Sequence, residues 1–233
     1  MAVLDPKKLR DAMTEASEKL DEAARRAGRP AGSVELLLAG KYIPADEVPA
    51  LIEAGVRRVG ENRLQDMIAK MEVSEGALEF DFIGHLQRRK VRDVLAAVRL
   101  IHSVDSPRLA AEIAKHAEGP TRVLVEVNIG DENNKAGIAP DALEQFVEEI
   151  SVHDKVIVGG LMSMPPPTDD PEASRPFFAA TRALAEGLAE RWKGRHDVSD
   201  LSMGTSQDYV VAAEEGATLV RVGRGLIDQA RVG

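Results

Sequence analysis

At 233 residues and 25.2 kDa the chain exceeds one average domain and falls short of two, and its 44% hydrophobic and 30% charged residues argue against disorder. Thirty Lys and Arg against thirty-nine Asp and Glu give a net charge of −9, which removes the long-range attraction that nucleic acid or an anionic membrane would supply. With no cysteine there is no disulfide framework, thiolate metal site or cysteine nucleophile, so covalent chemistry is left to Ser, Thr, Lys, Asp, Glu, His and Tyr.

In chain order, Asp5-Pro6 reads as an N-cap and a proline at the first helical position. Leu9, Met13, Ala16, Leu20 and Ala24 then keep helical spacing from Lys7 to Ala27, and Gly28 closes the helix. The opening residues lack the apolar core of a secretion signal and no apolar run reaches membrane length, so the expected location is cytoplasmic. From Val34 onward a unit recurs: a short apolar run, a turn of Gly, Asn or Ser, then an amphipathic stretch. Eight runs follow one another: Val34–Gly40, Arg57–Val59, Phe80–Ile83, Leu100–His102, Arg122–Asn128, Val156–Leu161, Leu201–Met203 and Thr218–Val222. Helical stretches are expected at Ala45–Ala54, Arg63–Met71, Arg88–Val98, Pro107–Ala117, Pro140–Ile150, Glu172–Lys193 and Gln207–Glu215.

Eight β/α units without a linker match a closed parallel barrel, whose usual size is about 250 residues. An open doubly wound sheet is the alternative, but no Gly-rich dinucleotide turn follows the first strand; Arg29–Ser33 precedes it and reads as a helix-to-strand turn. The expected fold is therefore α/β, a single (β/α)8 TIM-type barrel with an extra N-terminal helix: one domain over 1–233, with helix and turn at 1–33 and barrel at 34–233.

Chemistry in such barrels sits where the strands end. The first run closes on Lys41, and period-two alternation places it on the face of Leu37 and Ala39, at the barrel mouth. A desolvated lysine there could be a neutral amine able to condense with an aldehyde; the alternative is a lysine reaching from a strand end to solvent. Leu201-Ser202-Met203-Gly204-Thr205-Ser206 and Val222-Gly223-Arg224-Gly225 end the last two runs in small-residue turns whose free N–H groups suit a phosphate. In a closed barrel the eighth strand pairs with the first, so an amine stands beside a phosphate cup, which suggests a phosphorylated aldehyde. Arg221 interrupts an apolar strand and needs an acceptor: a pyridine nitrogen, which it would keep unprotonated and a weak electron sink, or a structural carboxylate.

From about Val34 to Ile227 the chain resembles the pyridoxal phosphate homeostasis proteins, the YggS/PROSC family, which are similar in fold to the N-terminal barrel of alanine racemase. The motifs that carry this resemblance are Leu38-Ala39-Gly40-Lys41, Gly60-Glu61-Asn62-Arg63-Leu64-Gln65, Phe82-Ile83-Gly84-His85-Leu86-Gln87, His102-Ser103-Val104-Asp105-Ser106, Val127-Asn128-Ile129 with Glu132 and Lys135-Ala136-Gly137, Gly160-Leu161-Met162, Leu201-Ser202-Met203-Gly204 with Ser206 and Asp208, and Val220-Arg221-Val222-Gly223. The resemblance implies pyridoxal 5′-phosphate (PLP) as an internal aldimine on Lys41, phosphate held by Ser202, Gly204, Ser206 and Gly223, and Arg221 at the pyridine nitrogen. It also makes Asn62, otherwise a helix N-cap, a candidate contact to the cofactor ring.

Several positions depart from the family pattern. Gly40 stands where Ser or Thr is usual, Arg224 where a small hydroxyl residue is usual, Ile227-Asp228 for Phe-Gly, Phe80-Asp81 for an aromatic-His pair and Arg89 for Asn. Arg224 either replaces the lost phosphate contact with a charge-assisted bond or points outward; Asp81 and Arg89 are expected to leave the cofactor unaffected. The five histidines, His85, His102, His116, His153 and His196, show no metal-ligand spacing, and no metal is expected. Lys135 falls in a polar loop at the mouth, and Met162–Pro167 is a stiff segment at the rim.

Three function classes follow. The first is a PLP carrier or regulator in vitamin B6 homeostasis that hands its cofactor to PLP-requiring apoenzymes, without substantial catalysis and as a monomer or weak dimer. An alanine racemase carries a second, β-rich domain for which the sequence after the eighth unit leaves no length. A PLP-dependent racemase is the alternative, but it needs a second base opposite Lys41, and no tyrosine closes a strand. A class I aldolase-type barrel, using Lys41 without PLP, is the third.

Overall fold

The structure is a computed structural model that describes residues 3–131 and 136–232. Its strands are β1 Val3–Leu4, β2 Glu35–Ala39, β3 Arg58–Glu61, β4 Glu79–Phe82, β5 Leu100–Val104, β6 Thr121–Val127, β7 Val156–Ser163, β8 Asp200–Thr205, β9 Leu219–Val222 and β10 Arg231–Val232. The helices are α1 Pro6–Arg26, α2 Val48–Ala54, α3 Leu64–Ser74, α4 Val91–Leu95, α5 Pro107–His116, α6 Leu143–Ile150, α7 Arg175–Arg191, α8 Tyr209–Glu214 and α9 Arg224–Ala230. Strands β2 to β9 run parallel in chain order and close into a barrel, with β9 pairing β2 through Leu36↔Val220 and Leu37↔Arg221. These are the eight expected apolar runs. The sequence reading did not include α9 or the antiparallel β1–β10 pair, Val3↔Val232, whose two-residue strands are too short to show a period.

Helix α1 begins as its sequence dictates. The Asp5 carboxylate accepts from the N–H groups of Lys7 (2.9 Å) and Lys8 (3.1 Å), and Pro6 opens the first turn. Its buried face, Leu9, Ala12, Ala16, Leu20, Ala23 and Ala24, packs against α2, α8 and α9, so the extra helix lies outside the β9–β2 seam. No described helix is long and apolar enough to cross a membrane.

The apolar core fills the layer between barrel and helices, where strand residues such as Leu38, Val59, Phe82, Val123, Val158 and Val220 meet Leu51, Met67, Ile113, Phe146 and Phe178. Inside the barrel Leu100, Leu124 and Met162 form a small apolar cluster and Leu37 lies against Gly60, while Arg58, Asp81, His102, Ser202 and Arg221 are buried polar groups.

His196 ties the end of α7 to α6 and β7. Its Nδ1 accepts the Val158 N–H (3.3 Å), so a neutral ring must carry its proton on Nε2, 2.8 Å from Ser151 Oγ, which donates to Val147 O. Burial, and then Arg195, push its pKa down to about 4 from 6.5. The unfolded imidazole binds a proton more readily than the folded one, so this contribution to stability is complete above pH 6.5 and is lost as the pH falls toward 4. Chemical denaturation across that window should show the unfolding free energy falling by about 2 kcal/mol more in the wild type than in His196→Gln. Equal slopes for the two proteins would contradict the assignment.

Candidate functional site

Strand β2 stops at Ala39, and Gly40–Tyr42 forms one 3-10 turn closed by the Ile43 N–H on Gly40 O (2.9 Å). The period-two alternation expected to reach residue 41 is broken there. Lys41 leaves the Leu37 face and stands exposed on the rim, its Nζ 4.9 Å from the centre of the Tyr42 ring, which matches the reading of a lysine that reaches from a strand end to solvent. Arg224 stacks on the same ring (5.0 Å) and donates to its hydroxyl (3.1 Å). Lys41 first, then Arg224, hold the Tyr42 phenol below the ordinary tyrosine range.

The turn is anchored from below. Lys70 Nζ donates to Gly40 O (3.1 Å) and to the Glu61 carboxylate (2.5 Å), both side chains being buried. Burial raises the Glu61 pKa, and the Lys70 bond opposes that rise. A Cβ at position 40 would strike the Glu61 carboxylate and lie 2.6 Å from Val59 Cγ1, which explains the glycine before the lysine.

The two small-residue turns expected to hold a phosphate come together at the ends of β8 and β9. Gly204 adopts the left-handed region (φ +92°), a residue with a Cβ would meet Ala212 Cβ at 2.5 Å there, and the turn is held by Asp208, which accepts from Thr205 N (2.7 Å). Beyond the kink, Ser206 Oγ accepts from Gly223 N (3.3 Å) and Gly225 N (3.2 Å), drawing two backbone donors to one point. A cavity of about 440 Å³ beside it is lined by Lys41, Tyr42, Asn62, Ser206, Arg221, Gly223 and Arg224. Ser202 and Gly204, expected at the phosphate, do not line it. Ser202 lies before the kink and faces the barrel interior, bonded to His102 and Arg221, while Gly204 serves the turn. Asn62 is not a helix N-cap either, since Arg63 occupies that position of α3. Lys135 and Glu132 lie outside the described residues.

Arg221 is buried. Nη1 donates to Ser202 O and Oγ (both 2.6 Å) and Nη2 to Ser163 O (3.0 Å), so three of five N–H groups have protein acceptors and two remain for the cavity. Burial pushes its pKa down to about 10, against Glu126 and Asp208, so it stays cationic at neutral pH.

The sequence reading passed over Glu126. It sits on β6, across the barrel from β2, and faces inward like Leu124 two residues earlier. Burial first, then Asp105, raise its pKa; Arg221 and His85, itself 3.1 Å from Asp105, act the other way. Glu126 is thus an inward-facing carboxylate across the barrel from β2, but it does not line the cavity that Lys41 lines. A glutamate inside Val123-Leu124-Val125-Glu126-Val127 was the available signal. A larger cavity, about 830 Å³, opens beside α4 and α5, but no lysine lines it and its Arg122 is tied to Asp197 and Asp200.

Residues 39–228 match the family described as alanine racemase, N-terminal domain. The chain is 40% identical over 210 residues, 88% of it and 91% of the relative, to the pyridoxal phosphate homeostasis protein of Aquifex aeolicus. Among solved structures it is similar to an unknown protein from Bifidobacterium adolescentis (TM-score 0.87, 32% identity, 95% of each chain covered). It is also similar to PipY of Synechococcus elongatus with PLP bound (TM-score 0.77, 31% identity, 91% of this chain and 99% of that one).

Replacing Gly40 with alanine should push the Glu61 carboxylate away from Lys70 and destabilise the fold by about 2 kcal/mol, lowering the melting temperature by roughly 4–8 °C. A thermal scan of Gly40→Ala that superimposes on the wild type would refute the anchoring.

Proposed function

This chain belongs to the pyridoxal phosphate homeostasis protein family, and we propose that it binds PLP in vitamin B6 homeostasis, holding it as a Schiff base on Lys41 and buffering or delivering it without substantial catalysis. The observation that carries this reading is the convergence of three unlike groups on one cavity: the Lys41 amine, the Ser206–Gly223 turn, and Arg221 with two unassigned N–H groups. A small molecule with an aldehyde, a phosphate and a ring nitrogen answers all three. The bound group would supply the aldehyde and an electron sink; Arg221 would contact the ring nitrogen as a donor and keep that sink weak. Arg224, already on the cavity wall, would add a charge for the phosphate. PLP-requiring apoenzymes are the recipients this reading implies.

An open site suits release. Lys41 is on the rim, open to water, and Tyr42 stands beside it rather than across the cavity. Tyr209 is on α8, so the racemase alternative has no tyrosine in place.

Borohydride should fix pyridoxyl phosphate on Lys41, and Lys41→Ala should lose the yellow band; a label mainly on another lysine, with the band intact in the variant, would reject that assignment. Pyridoxal without its phosphate should bind roughly a hundredfold more weakly, the worth of two charge-assisted hydrogen bonds of about 1.5 kcal/mol each. Equal retention of both would show that the cup holds no phosphate.

The loaded protein should pass its cofactor to an apoenzyme while showing no substantial turnover of common amino acids. Robust racemisation or decarboxylation that Lys41→Ala abolishes would replace this reading with the racemase one.

A further inference from the structure

Inside the barrel a line of polar side chains leads from its floor to Arg221. Asp81, on β4, is buried; its Oδ2 lies 3.1 Å from His102 Nε2 and 2.9 Å from Arg58, and Oδ1 is 3.4 Å from Arg99. Arg58 also pairs with Glu35. His102, on β5, places Nδ1 2.9 Å from Ser202 Oγ on β8, and that oxygen accepts from Arg221 Nη1 on β9.

The polarity of this line follows from its acceptor-only end. An ionised carboxylate cannot donate, so His102 presents Nε2–H to Asp81, and the neutral ring then offers the Nδ1 lone pair to the Ser202 hydroxyl. With its proton directed at His102, the Ser202 oxygen has lone pairs left for Arg221. The reverse tautomer would set the Nε2 lone pair against the carboxylate.

The charged groups around the imidazole agree with this. Burial lowers the His102 pKa, and Arg221 and Arg58 add to that effect against the pull of Asp81. Burial also acts against the Asp81 charge, but His102, Arg58 and Arg99 outweigh it and hold the carboxyl below its usual range. Around Arg221 the further charges are Glu126 and Asp208.

We propose that Asp81 and His102 are positioning residues which, through the Ser202 hydroxyl, fix the plane in which Arg221 presents one of its two remaining N–H groups to the cofactor's ring nitrogen. The inference rests on the reading that this cavity holds PLP. It gives Asp81 a part in cofactor binding that its sequence position did not suggest, and it gives Ser202 a part other than holding phosphate. Ser202 O and Ser163 O orient the guanidinium from the backbone, and the hydroxyl is the contact that the other two side chains control.

The test uses Ser202→Ala, which cuts the line at its middle while leaving the Asp81–His102 pair, and Asp81→Asn, which removes its acceptor-only end. Long-range 1H–15N spectra of the wild type without added cofactor should show His102 neutral near pH 7 with its proton on Nε2, and Asp81→Asn should alter that pattern. In the loaded proteins, each variant should release PLP about tenfold faster than the wild type and shift the pH midpoint of the yellow band. Reduction should still place the label on Lys41.

A protonated or Nδ1–H His102 in the wild type would overturn the proposal. So would a Ser202→Ala protein whose release rate and band midpoint match the wild type, including one that merely melts earlier. If Asp81→Asn fails to fold, Ser202→Ala decides. A wild-type chain that develops no yellow band would overturn the binding reading and the proposal with it, whereas a normal wild-type band with an unaltered Ser202→Ala band would overturn the relay alone.

Discussion

The pairing of β9 with β2 is the constraint on which the site depends. Leu37↔Arg221 and Leu38↔Val222 close the sheet on itself, and only that closure sets a turn following the first barrel strand beside a turn following the last. Tyr42 and Arg224, 182 residues apart in the chain, touch because of it. In an open sheet these strands would be opposite edges, and neither the amine nor the cup would have a partner. Helix α1 covers the outside of the same seam and packs on α8 and α9, which follow the two cup-forming strands.

The barrel separates two kinds of interior. Outside the strands the core is large and mostly apolar, with Lys70 of α3 paired to Glu61 of β3 within it; inside, Arg58 is paired at close range with Glu35 and Asp81. Such pairs return little net stability after desolvation, so they say more about how side chains are held than about how tightly the fold is held. Arg221 differs. Its contacts are a hydroxyl and two backbone carbonyls, with Glu126 and Asp208 acting on it only through the field, so the guanidinium that lines the cavity has no carboxylate bonded to it.

Strand order and closure were legible because each barrel strand is an apolar run bounded by turn residues, and the pairing of eighth with first follows from topology. Lys41, Ser206, Arg221 and Gly223 could be placed at one mouth for the same reason. What escaped the sequence depended on single backbone events or distant partners. The 3-10 turn at Gly40 ended the alternation that was extended to Lys41, and the left-handed Gly204 divided a small-residue turn into an inward Ser202 and a cup-forming Ser206. Asp81 and Glu126 looked like isolated carboxylates in apolar strands. The His102 that meets Asp81 is 21 residues away and the Ser202 that meets His102 is 100 further on, separations over which no local pattern connects them.

The separation between the lysine turn and the cup also has a meaning in time. A chain emerging from a ribosome at about 5–20 residues per second would expose Lys41 roughly 10–40 s before the segment at Arg224 is made. Early strands can pair with their neighbours as they appear, since each closes only a short loop, but the β9–β2 seam closes the longest loop in the barrel and must wait for nearly the whole chain. During that interval Lys41 stands without the Ser206–Gly223 turn beside it. Any joint use of the Lys41 amine and the Ser206–Gly223 turn is therefore a property of the finished barrel and not of the nascent chain.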